Sequence, residues 1–140
     1  MARILVLNGP NLNLLGTREP HLYGSQTLAE IVAGLERLAA SRGAVLLAVQ
    51  SNAEHELIAA VQRAKTDGTD AIIVNAGAFT HSSIALMDAF QAVGHEVIEL
   101  IRIDRRMHEL VAAAADHDDR CDGAFGQILA DDLLATPSTL

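Results

Sequence analysis

Residues 70–94 read DAIIVNAGAFTHSSIALMDAFQAVG, an apolar run from Asp70 to Asn75, a small-residue loop with Gly77, and a helix-period segment from about His81 to Val93 before Gly94. The run is too short for a helix and rich in Ile and Val, as a strand buried in a parallel sheet is. Three further runs have the same character: Arg3–Asn8, Ala44–Gln50 and Glu96–Ile101. Helix-period segments separate them. The first opens at Thr27, an expected N-cap with Glu30 three residues on, and stops at Gly43, an expected left-handed C-terminal residue. The second runs from about Glu54 to Thr66, ahead of Gly68. A fourth follows Asp104 through Ala115, and a last one covers Gln127 to Ala135. Strand and helix alternating at this pace predict right-handed crossovers and a parallel sheet covered on both faces, an α/β, flavodoxin-like doubly wound fold. Ligands of such sheets bind outside the carboxyl ends of the strands. The loops that matter are therefore Gly9–Gln26, Ser51–Ala53, Ala76–Thr80 and Arg102–Arg106.

A chain of 140 residues, half of them hydrophobic and only three of them proline, closes one core, so residues 1–140 are expected to form a single domain. No stretch approaches the roughly 18 apolar residues of a membrane span. The opening MARILVLN enters the first strand pattern without a cleavable signal. A soluble, cytoplasmic protein is expected. Cys121 is the single cysteine, which excludes an internal disulfide. The net charge of -8 and the scarcity of aromatics argue against nucleic acid as a partner.

The first loop, NGPNLNLLGTREPHLYG over residues 8–24, is long for a connection that normally takes roughly 2 to 6 residues. Gly9 and Pro10 permit a tight turn, and Asn11 and Asn13 offer carboxamides to orient a ligand or water. Arg18 and Tyr23 lie between Gly16 and Gly24, a pattern that fits a lid. An arginine near a tyrosine favours the phenolate and so makes a base from a group whose free pKa is about 10. The competing reading is a surface arginine and a half-buried tyrosine with no catalytic task. In the third loop, Asn75 ends a buried strand and either pins the loop or meets a ligand. Thr80, His81, Ser82 and Ser83 crowd donors at a helix start. The competing reading there is N-capping by Thr80 with a solvated His81.

Taken together, NGPNLNLLGTREPHLYG, the Thr27-Leu28 helix start, QSNAEHELI, NAGAFTHSSIALMDA and Ile98-Glu99-Leu100 resemble the type II 3-dehydroquinases over roughly the first 100 residues. The resemblance implies a flavodoxin-like lyase without metal or cofactor, built of trimers that form a homododecamer. It implies removal of water from 3-dehydroquinate, a cyclic keto substrate of the shikimate route to aromatic amino acids. Carried onto this chain, it implies that Tyr23 abstracts the proton beside the ketone, Arg18 lowers its pKa, and Asn11 holds the water that stabilises the enolate. Asn75 and His81 fall on positions that bind substrate hydroxyls. Asp88 falls on one that reaches a neighbouring subunit's site, and Glu54 matches an acidic position of the second loop.

Beyond Glu99 the chain departs from the family pattern Glu-Val-His-hydrophobic-Ser-Asn, whose histidine is the general acid for the departing hydroxyl. Ile101 and Ile103 stand at the histidine and serine positions, and Met87 replaces a usual arginine. Arg102 is a candidate anion contact, and His108 a candidate substitute acid. Both also fit an exposed helix start. For Asp116-His117-Asp118-Asp119 a metal site competes with a solvated acidic turn, and the lack of a second ligand cluster in the sequence favours the turn. Three functions compete on these residues: an enolising lyase, an isomerase or epimerase that keeps the base and drops the acid, and a non-catalytic family member.

Overall fold

The computed structural model describes residues 1–17, 21, 25–94, 96–99 and 105–116. Four strands, β1 (Arg3–Asn8), β2 (Val45–Gln50), β3 (Ala71–Asn75) and β4 (Glu96–Glu99), form one sheet in the order β2-β1-β3-β4. All three pairings are parallel. The helices are α1 (Leu28–Ser41), α2 (Glu54–Ala64), the single turn α3 (Phe79–Ser82), α4 (Ile84–Val93) and α5 (Arg105–Ala115). This is the flavodoxin-like, doubly wound arrangement expected from the alternation of apolar runs.

Because successive strand side chains point to opposite faces, each central strand feeds two cores. Ile4, Val6 and Ile73 face one layer, where Ile31, Leu35 and Ala39 of α1 meet Leu110, Val111 and Ala114 of α5. Leu5, Leu7, Ile72 and Val74 face the other, against Leu57, Ala60 and Val61 of α2 and Leu86, Ala89 and Phe90 of α4. Each large aliphatic side chain removed from water in this way contributes about 1.5–3 kcal/mol. Where α1 and α5 lie together, an exposed ion pair joins Arg42 to Asp116. Such a pair adds at most about 1 kcal/mol.

The expected start of α1 is present: Thr27 is its N-cap, and its hydroxyl accepts from the Glu30 backbone N–H at 3.2 Å. Gly43 beyond its end has φ 71°. Two expectations change. The helix read from His81 to Val93 is broken at Ser83, whose backbone (φ -99°, ψ 89°) leaves the helical region. The buried Ser83 hydroxyl accepts from the Leu86 N–H at 3.0 Å and so starts α4 afresh. A serine side chain competes for backbone amides in this way, which favours a cap over a helix interior. Thr80 therefore lies within α3, and the helix-starting cap is Ser83.

The second change concerns β2, read as a buried strand. It forms one edge of the sheet, and Val45 and Leu47 are 46% and 50% exposed. The crossover through α2 carries the chain past β1 to β3, and α2 packs beside α4 over the central strands. One face of the edge strand is left uncovered by the described residues. The expected segment Gln127 to Ala135, Asp104, Cys121 and residues 117–119 of the acidic turn lie outside the described residues.

Candidate active site

β1 and β3 are neighbours whose connections leave in opposite directions, β1 through α1 on one face and β3 through α3 and α4 on the other. Their carboxyl ends therefore bound a crevice of the kind in which doubly wound proteins bind ligands. Two glycines let the loops above it interlock. The Gly9 N–H donates to the Asn75 carbonyl at 2.8 Å, and a Cβ on Gly9 would stand 2.1 Å from the Ala76 carbonyl oxygen. Gly77 has φ 57°, a left-handed backbone that glycine adopts without steric cost, and lies against the Pro10 carbonyl.

Between the loops lies a cleft of about 230 Å³, lined by Pro10, Asn11, Leu12, Leu14, Leu15, Gly77 and Ala78. Asn11 brings the only polar side chain among these seven. It precedes a 3₁₀ turn over Leu12–Leu14 with φ 67° and ψ -4°, and its side chain makes no capping bond to that turn.

Three carboxamides stand side by side at the carboxyl edge, because Asn8 pairs in register with Gln50 of β2 and with Asn75 of β3. The Asn75 side-chain oxygen accepts from the Gly77 N–H at 3.4 Å. Of the two roles read for Asn75, loop pinning is the one this contact performs. Gln50 Nε2 donates to the Gly9 carbonyl and to Asn52 Oδ1, each at 3.2 Å. The same Asn52 oxygen accepts from the Asn11 N–H at 3.0 Å. Asn8 is 1% exposed, and its Oδ1 has no hydrogen-bond partner among the described residues. Neither Gln50 nor Asn52 was singled out from the sequence. The available signal was that β1, β2 and β3 all end on a carboxamide residue.

The remaining sequence candidates are dispersed. His81 lies on α3, immediately after the third loop. Asp88 is exposed on α4, and Glu54 opens α2, where the buried Ser51 accepts from the Ala53 N–H at 2.9 Å and donates to Glu56. His108 is exposed on α5, and a Cβ on Gly34 of α1 would stand 3.8 Å from its Nε2. Gly34 lies seven residues into α1, and His108 is not among the residues lining the cleft. Arg18, Tyr23 and Arg102 lie outside the described residues. Among the described residues no three His, Cys, Asp or Glu are grouped to hold a metal ion, and no helix is long and apolar enough to cross a membrane.

Known proteins resemble this chain in sequence and fold. The family model for class II dehydroquinase matches residues 2–117. A protein of Thioalkalivibrio sulfidiphilus named 3-dehydroquinate dehydratase is 59% identical over 100 residues, 71% of this chain and 68% of that one. One of Bordetella petrii with the same name is 60% identical over 98 residues, 70% of this chain and 68% of the relative. The crystal structure of the type II dehydroquinase from Butyrivibrio crossotus covers 96% of this chain and 98% of its own, with 33% identity and a TM-score of 0.68. With its glycine-locked crevice and a match spanning most of its length, the chain belongs to the class II dehydroquinase family.

Proposed function

We propose that this protein is a hydro-lyase of the type II dehydroquinase kind, acting on 3-dehydroquinate or a related cyclic β-hydroxyketone through an enolate. The carrying observation is the cleft at the β1/β3 switch point, with Asn11 as its polar side chain. In this reading Tyr23, made acidic by Arg18, takes the proton beside the ketone. Asn11 orients a water whose hydrogen bond stabilises the enolate oxygen. Collapse of the enolate expels the β-hydroxyl, which leaves as water once it has gained a proton. Asn75, His81 and Arg102 hold the substrate's hydroxyls and carboxylate. We place the reaction in the cytoplasm, in shikimate metabolism, with no metal or cofactor taking part.

A second reading is favoured by Ile101, which stands where the family's proton donor is expected. Isoleucine donates no proton, and a positioned general acid contributes roughly 100- to 10,000-fold in rate. Base chemistry without that acid gives proton exchange or isomerisation beside the ketone. The two are separated by incubating the protein with 3-dehydroquinate in deuterated water and following deuterium uptake by mass spectrometry and the enone by ultraviolet absorbance. Deuterium uptake with enone formation slower by at least about 100-fold would carry the second reading, whereas the hydro-lyase is expected to form the enone in step with the exchange. Enone formation as fast as deuterium uptake supports a replaced acid, for which His108 is the candidate. Neither signal supports a non-catalytic member.

We further propose a homo-oligomer, a trimer or a dodecamer, in which Asp88 meets a neighbouring copy. It is supported by the apolar surface beside Asp88 on α4, where Ile84 is 86% and Met87 39% exposed. Side chains three and four residues apart share a helix face, so Ile84, Met87 and Asp88 form one patch. Light scattering is expected to return a species larger than a dimer, and Ile84→Asp to shift it to smaller species. A monomeric parent protein would overturn the assembly.

A further inference from the structure

We propose that Asn52 is a positioning residue for Asn11: its side-chain oxygen holds the Asn11 backbone in the left-handed conformation that presents the Asn11 carboxamide to the cleft. The inference rests on the reading of Asn11 as the residue that orients the enolate-stabilising water.

Asn11 is the only non-glycine residue with positive φ among the described residues. Left-handed backbone costs an ordinary residue roughly 1–2 kcal/mol, and asparagine, though more tolerant of it, is held there more firmly when its backbone is hydrogen-bonded from outside. The support comes from outside the loop. The Asn11 N–H donates to Asn52 Oδ1 at 3.0 Å, across 41 residues of sequence. Gln50 Nε2 donates to that same oxygen and, with its second hydrogen, to the Gly9 carbonyl. The chain from Gly9 to Asn11 is thereby gripped at both ends by Gln50, the last residue of β2, and Asn52, two residues beyond it. The orientation of the Asn52 amide is dictated by its partners, since both groups facing the oxygen are donors and a flipped amide would set NH₂ against them.

Among the described residues, the Asn11 side chain takes no part in this arrangement. It does not cap its own 3₁₀ turn, and it lines the cleft. A backbone amide held from behind and a carboxamide free in front are what the orientation of a water requires. A displacement of about 1 Å in such a group can lower a rate by as much as about 100-fold. Asn52 touches neither cleft nor substrate in this scheme and acts through Asn11.

The test uses the full chain and compares Asn52→Ala with Asn52→Asp. Asp keeps an oxygen between the two donors, whereas Ala removes it. Asn52→Ala is expected to lower kcat with 3-dehydroquinate by about 10- to 100-fold with KM within about threefold. Asn52→Asp should restore most of kcat. The Asn11 amide, followed by residue-resolved hydrogen exchange, should lose protection in Asn52→Ala and keep it in Asn52→Asp. Unchanged protection in Asn52→Ala would overturn the clamp. Lost protection with unchanged kcat would overturn its catalytic meaning, as would a loss of kcat in Asn52→Ala that Asn52→Asp does not restore. An inactive parent protein would refute the dehydratase reading instead, and the exchange of the Asn11 amide would then decide the clamp alone.

Discussion

Tyr23→Phe is expected to lower turnover by at least about 100-fold, with the melting temperature unchanged within about 2 °C. The substitution deletes one oxygen and keeps the aromatic ring. In the proposed mechanism that oxygen removes the proton beside the ketone, and a positioned base contributes roughly 100- to 10,000-fold. The loss should appear in deuterium uptake as well as in enone formation, because both follow proton abstraction. Activity within threefold of the parent protein would remove Tyr23 from the role of base. The arginine at position 18 would then lose its catalytic explanation too.

Gly9→Ala is expected to be the most disruptive small substitution in the chain. A Cβ there would stand 2.1 Å from the Ala76 carbonyl oxygen and 2.6 Å from the Ala76 carbonyl carbon, both backbone atoms. No rotamer change relieves such a clash, so the first and third loops must separate. Separation breaks the bond from the Gly9 N–H to the Asn75 carbonyl and shifts the Gly9 carbonyl away from Gln50. Overpacking together with a lost buried hydrogen bond amounts to roughly 3 kcal/mol or more. For a chain of this size the melting temperature should fall by about 10 °C. Activity should fall further than stability alone explains, because Gly9 sits two residues before Asn11. A variant that melts within about 2 °C of the parent would show that the two loops are not locked as described.

Legibility in the sequence followed the range of the interactions concerned. Thr27 and Glu30 announce a helix start because the capping bond spans three residues. The break at Ser83 is equally local, but HSSIAL offers two serines, and only packing showed that the second is buried and turned into the cap. The exposure of Val45 and Leu47 left no trace in an apolar run that reads like the others, because it depends on where a helix 7 to 19 residues later comes to lie. Arg18 and Tyr23 are legible through the family's motifs, and Arg102 only as a candidate anion contact where the chain departs from them.

By itself, then, the sequence determined the alternation of strand and helix, the parallel α/β class, the loops in which chemistry is proposed and the family to which the chain belongs. These rest on periodicity, capping and motif order, all written within short windows of chain. Tertiary structure alone decided that β2 stands at an edge, that Gly9 and Gly77 bring two loops into contact, and that Asn52 reaches Asn11. The physical reason is that a parallel sheet aligns strand ends that are 25 to 67 residues apart in the chain. Whether Gln50, Asn8 and Asn75 meet in one row depends on register, which the packing of both faces sets together.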